Sequence, residues 1–197
     1  MVNCLVNESI QKSLEDAIKK YSGGAIVMAE LPADEYIEAC IASVKYLVEN
    51  GYEGIYISFQ RPFKNISNLL KAGGVDMSKL FFVDVASASS DERGEKDPRC
   101  IHVSDSLDID EIVRSIYTTL PILKGEKKFI FIDSMTTIAL LEPLSETMRF
   151  SEFLIRTIKK HEVDHVLLVF NVAKDFAQKK FIKDIAIHVD DIITVVP

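Results

Sequence analysis

The feature that most constrains the fold is an alternation of short, mostly apolar runs with longer amphipathic segments. Ala25 to Ala29 (AIVMA), Gly54 to Phe59, Leu80 to Val85, Lys128 to Asp133, His165 to Phe170 and Asp191 to Val196 are the runs. They are too short for helices and too apolar for surface strands, so they suit strands buried on both faces of a parallel sheet. Between them apolar residues recur at helical spacing. Ile10, Leu14, Ala17 and Ile18 mark a helix over Glu8 to Tyr21, and Ile37, Cys40, Ile41, Val44, Leu47 and Val48 mark one over Asp34 to Asn50 that Gly51 stops. Further helices are expected from Phe63 to Ala72, from Asp108 to Leu120, over Ser145 to Lys160 and near Phe176 to Ile187. Asp108 with Glu111 three residues on makes a capping-box-like start.

Six strands alternating with helices predict a three-layer α/β fold, a mostly parallel central sheet flanked by helices. The 197 residues suit a single domain over 1–197, with an N-terminal helix in 1–22. Residues 86–99 (ASASSDERGEKDPR) carry neither period and are expected to be a surface loop.

Charge and cysteine usage narrow the partners. Twenty-three basic against thirty acidic residues give a net charge of -7, which disfavours nucleic acid and anionic lipid. No apolar run approaches membrane-spanning length, and Met1 to Lys20 lacks a signal-peptide core, so no membrane association is expected. Cys4, Cys40 and Cys100 form no CxxC pair and are expected to be structural thiols in a reducing cytoplasm.

In open parallel sheets ligands lie beyond the carboxyl ends of the strands, which directs attention to the turns after Ala29, Phe59, Asp133 and Phe170. The pieces GAIVMA, NGYEGIYISFQRP, KKFIFIDSMTTI and VDDIITV, in that order, resemble the RecA-like ATPases, in particular an archaeal KaiC-like domain, over Gly24 to Val196. The resemblance implies a P-loop type fold, self-association through subunit boundaries, and a Walker B strand ending at Asp133 and Ser134. It also exposes departures. Against GxxxxGK[ST], whose glycines let backbone N–H groups close on phosphate, the chain reads Ala29-Glu30-Leu31-Pro32-Ala33-Asp34-Glu35-Tyr36. Both glycines are lost, Glu35 stands at the lysine position and Tyr36 at the metal-binding hydroxyl.

Asp34 and Glu35 put carboxylates at a helix N-terminus that would otherwise attract phosphate. At about 4 Å and an effective dielectric near 20, each contact with a triphosphate charge would cost on the order of 4 kcal/mol before screening. After IYISF, where KaiC-like domains carry acidic residues including the water-activating carboxylate, the chain has Gln60, Arg61 and Pro62, and Gln cannot take a proton as a carboxylate does. The expectation is a pseudo-ATPase: no ATPase activity, no cofactor, no metal and no catalytic residue, with a vestigial site at Ala29, Glu30, Asp34, Glu35, Tyr36, Gln60, Asp133 and Ser134. Its role would be regulatory or structural, through a protein partner or a homo-oligomer. The alternatives are a cleft between Tyr36, Gln60, Asp133 and Asn171 that takes a cationic or neutral metabolite, for binding or chemistry, and a residual nucleotide-binding signalling ATPase.

Other motifs carry less. His161 to His165 spells HExxH, but the pattern turns from helix to strand inside it, so its two rings would not share a face. Neither GxSxG nor GxGxxG occurs, and His102 and His188 have no ligand-like spacing. Lys174, Lys179, Lys180 and Lys183, interleaved with Phe176 and Phe181, would suit single-stranded nucleic acid only if the rings were free to stack.

Overall fold

In the parallel alternation of this chain each strand is followed by a segment that must cross back over the sheet, and the face it crosses is set by the direction of travel. The computed structural model describes residues 4–21, 24–89, 97–104, 108–159 and 165–194. Its strands are β1 (Ala25–Leu31), β2 (Tyr52–Ser58), β3 (Leu80–Asp84), β4 (Cys100–His102), β5 (Lys127–Asp133), β6 (Val166–Ala173) and β7 (Asp191–Thr194). All pair in parallel in the order β4-β3-β2-β5-β6-β1-β7. From β2 the chain moves outward to β3 and β4, then returns to β5 and moves the other way through β6 to β7. The direction therefore reverses between β2 and β5, the place where a parallel sheet opens a crevice.

The helices are α1 (Cys4–Lys20), α2 (Tyr36–Glu49), α3 (Phe63–Ala72), α4 (Ile109–Thr119), α5 (Met135–Leu141), α6 (Leu144–Lys159) and α7 (Lys180–Ala186). The reversal distributes them over both faces, as a constant crossover hand requires. On one face α1, α2 and α3 bury Leu14, Cys40, Leu47, Ile66 and Leu70 against Tyr56, Phe129 and Phe131. On the other, α4 to α7 bury Ile112, Ile138, Phe150 and Ile182 against Ile55, Ile130 and Phe170. This is the expected three-layer α/β arrangement. No helix among the described residues is long and apolar enough to cross a membrane.

Close approach of side chains to the central strands explains one glycine. A Cβ on Gly54 would lie 2.3 Å from the Phe129 ring, so only glycine lets β2 pass that ring.

Several elements differ from expectation. A seventh strand, β4, pairs at the edge with β3; three half-buried residues give it no apolar run to read. The first strand runs two residues past Ala29 to Leu31, and the helix that follows begins at Tyr36 instead of Asp34. α5 was not expected; Ser134 starts it by accepting the Thr137 N–H at 3.1 Å. The segment near Phe176 to Ile187 is a 3-10 turn, Lys174–Phe176, followed by the short α7. Of the expected surface loop 86–99, Ala86–Ser89 forms a 3-10 turn in which Ser87 is buried and its N–H donates to Asp84; residues 90–96 lie outside the described residues. Asp108 caps α4 as expected, through the N–H groups of Asp110 and Glu111. Glu111 does not complete a box: its carboxylate accepts from the N–H and hydroxyl of Ser104.

Candidate functional site

Strand register builds the site. His102, Asp84, Ser58 and Asp133 are successive cross-strand partners on β4, β3, β2 and β5. Asn171 on β6 continues the row, one residue beyond the partner of Ile132, and pairs with Ala29 on β1. A line of polar side chains thus crosses five strands at their carboxyl ends, in a sheet whose interior is otherwise apolar. Parity puts the row on the face covered by α2 and α3, because Tyr56, Phe82, Phe131 and Val169, two residues earlier on their strands, all pack there.

The centre of the row is Asp133, which is fully buried. The Tyr36 hydroxyl donates to Oδ1 at 2.8 Å and the Tyr56 hydroxyl donates to Oδ2 at 2.6 Å. Burial pushes the Asp133 carboxyl above the usual range, while the two tyrosines and the Arg61 charge pull it the other way. Burial likewise pushes both tyrosine hydroxyls well up, so they stay donors. Tyr56 is held by its ring, stacked on Phe131 with centroids 5.2 Å apart. The Asp133–Ser134 peptide is cis. Asn171 is fully buried and donates through Nδ2 to the Ile132 carbonyl at 2.9 Å.

The expected site residues separate into two groups. Tyr36, Asp133 and Ser134 come together; Ser134 also spends its hydroxyl on capping α5. Ala29 is buried inside β1, and Glu30 is half-buried on the opposite face of the sheet, where it accepts from Thr194 at 3.0 Å. The expectation that Glu30 belongs to the phosphate-loop segment is corrected: β1 continues through it, and alternation along the strand turns it to the face away from Asp133. Asp34 and Glu35 lie in the turn before α2, Asp34 exposed and Glu35 half-buried. Gln60 is exposed and accepts from the Arg61 guanidinium at 2.9 Å. The proposed cleft set of Tyr36, Gln60, Asp133 and Asn171 is thus not one lined cavity wall, since Asp133 and Asn171 are enclosed while Gln60 faces solvent.

The residue that sequence reasoning missed is Tyr56. Its signal is physical: a tyrosine inside a strand buried on both faces must find a partner for its hydroxyl, and an acid at the end of the neighbouring strand is the nearest candidate. Cys40 is buried and Cys100 half-buried. Phe176 and Phe181 pack against the core instead of standing free. His165 lies in the turn before β6, while the rest of HExxH is outside the described residues.

No protein-family model matches the chain, and no curated protein matches it. Solved structures do. A KaiC-like protein, PH0186, from the hyperthermophilic archaeon Pyrococcus horikoshii is similar over 87% of this chain and 72% of its own, with TM-score 0.59 at 16% identity. The fold is KaiC-like. An uncharacterised protein of the same organism, PH0321, solved in complex with an unknown peptide, is similar over 93% of this chain and 82% of its own, with TM-score 0.66 at 15% identity. A third P. horikoshii structure, PH0250, gives TM-score 0.60 at 14% identity over 92% of this chain and 87% of its own. At these identities the likeness establishes the KaiC-like fold alone.

Proposed function

We propose that this chain is a non-catalytic KaiC-like domain, a pseudo-ATPase that acts through protein contacts. The observation that carries the reading is the Tyr36–Asp133–Tyr56 cluster. In a working site the acid at the end of this strand supports a hydrated Mg²⁺, which requires an ionised carboxylate reachable by the ion's waters. Here both carboxylate oxygens accept tyrosine hydroxyls, the group is fully buried, and burial opposes its ionisation. Tyr36, which the resemblance aligns with the metal-binding hydroxyl, bonds directly to the acid, so its phenol uses an oxygen that would otherwise be open to an ion's water.

The phosphate side of the site supports the same reading. Backbone positions 29–31 belong to β1, which is paired with β6 and β7 through Glu30 and with β6 at Leu31, and Pro32 has no N–H to offer. Only Ala33, Asp34 and Glu35 remain between strand and helix, and two of these bring carboxylates. Gln60 in place of an acid removes the group that would take a proton from water.

A role through protein contacts draws on two further facts. Leu140, Leu141 and Leu144, at the junction of α5 and α6, are exposed at 67%, 58% and 51%, an apolar group directly downstream of the row. The similar P. horikoshii protein was captured with a peptide. The test of lost catalysis is ATP turnover by the purified chain and by Asp133→Ala. Equal, background-level release of phosphate is expected from both; turnover in the wild type that Asp133→Ala abolishes would refute the reading.

A further inference from the structure

The outer end of the polar row gathers a second set of groups that plays no part in the Asp133 cluster. Asp84 on β3 is the register partner of His102 on β4, and Cys100 precedes His102 by two residues, so strand alternation puts all three on one face. One oxygen, one sulfur and one nitrogen from these side chains lie within 4.8 Å of one another, and His102 Nδ1 is already 3.2 Å from Asp84 Oδ2. Ligand atoms around a tetrahedral first-row ion sit roughly 3.3–3.8 Å apart, given metal–ligand bonds of about 2.0–2.3 Å. Small side-chain rotations span the difference.

We propose that Asp84, Cys100 and His102 bind a borderline-soft divalent transition metal, Zn²⁺ being the type, with three protein ligands and a fourth position for water. A mixed sulfur, nitrogen and oxygen set suits Zn²⁺ and selects against Mg²⁺, which prefers oxygen alone. The independent sign is His102. Both its ring nitrogens are enclosed; Nδ1 faces the Asp84 carboxylate at 3.2 Å, whereas Nε2 has no hydrogen-bond partner, which burial makes costly for an imidazole nitrogen. A metal on one nitrogen satisfies the acceptor. The surroundings also hold the ligands in place: Asp84 accepts from the Phe63 and Ser87 N–H groups and from the Ser87 hydroxyl, and the Phe63 ring meets His102 edge-on at 6.5 Å. Cys100 is half-buried, and because a thiol ligates as thiolate, binding exchanges its proton for the metal and that proton leaves to solvent. The spacing C-x-H is uninformative by itself; the third ligand arrives only through the edge pairing of β3 with β4.

The test is titration of the chelator-stripped full chain with Co²⁺, followed by Zn²⁺. One Co²⁺ per chain is expected, with a sulfur-to-cobalt charge-transfer band that Zn²⁺ bleaches. Cys40→Ser should keep the band, Cys100→Ser should lose it, and His102→Gln should weaken binding at least tenfold. Because Cys100→Ser could fail to fold, alkylation of wild-type Cys100, located by peptide mass, is followed with and without Zn²⁺. At least tenfold slowing is expected. Absence of a charge-transfer band at millimolar Co²⁺, an undiminished band in folded Cys100→Ser, or equal alkylation rates would each overturn the proposal.

Discussion

Replacing Tyr56 by Phe isolates the bond on which the reading of the site depends. The ring is fully buried between Phe82 and Phe131, at centroid distances of 5.8 and 5.2 Å, so its packing survives the loss of one oxygen. What disappears is the 2.6 Å bond to Asp133 Oδ2. Leaving the buried oxygen without its donor costs about 1–3 kcal/mol. For a chain of this length that corresponds to a loss of roughly 2–12 °C in Tm. Urea unfolding monitored by far-ultraviolet circular dichroism should give a lower midpoint with an unchanged slope, the mark of altered stability without altered compactness. The same substitution in an Asp133→Ala background should cost less, because the partner is gone. A shift under about 0.5 kcal/mol in the wild-type background, well below the value of one such bond, would refute the claim that Tyr56 seals the acid.

Other consequences follow from the packing and the charges. Gly54→Ala would drive a Cβ to 2.3 Å from the Phe129 ring, and the overpacking should cost about 1–3 kcal/mol in the same unfolding assay. Asp133 has a carboxyl raised by burial, so between its unfolded and folded values the native chain holds the extra proton and stability falls as pH rises. Asp133→Asn should flatten that part of the stability profile. Glu53 has the opposite sign: its bond to Lys79 and the N–H groups of Lys124 and Gly125 hold its carboxyl below 4.5. The stability gap between wild type and Glu53→Gln should be largest near neutral pH and close as pH falls below 4.5.

The strands of this sheet were legible because each is an unbroken apolar run, and burial on both faces leaves little else that such a run can do. β4 was not, since an edge strand of three half-buried residues borrows its stability from β3. α5 is hidden for a similar reason: seven residues with Leu140 and Leu141 exposed present no apolar stripe, and its start is fixed by the Ser134 cap. At the site, Asp133 and Tyr36 were readable from their places in the pattern, because a motif fixes positions along the chain. Their mutual bond was not, nor was that of Tyr56, because strand register and not sequence spacing brings β2 beside β5. Glu30 was misread because the strand outlasts its apolar run, a charged residue being tolerated where its side chain reaches Thr194 and the sheet margin. The Asp84, Cys100 and His102 group was invisible for the same reason as β4.

The central claim, that the carboxyl-end crevice has exchanged metal and phosphate for an internal tyrosine–carboxyl cluster, is tested most directly by isothermal titration calorimetry of the purified chain with Mg·ATP and Mg·ADP. The account predicts no binding heat up to millimolar nucleotide. Saturable micromolar binding of either nucleotide would contradict it, because that affinity requires phosphate and metal in the space held by Tyr36, Asp34 and Glu35.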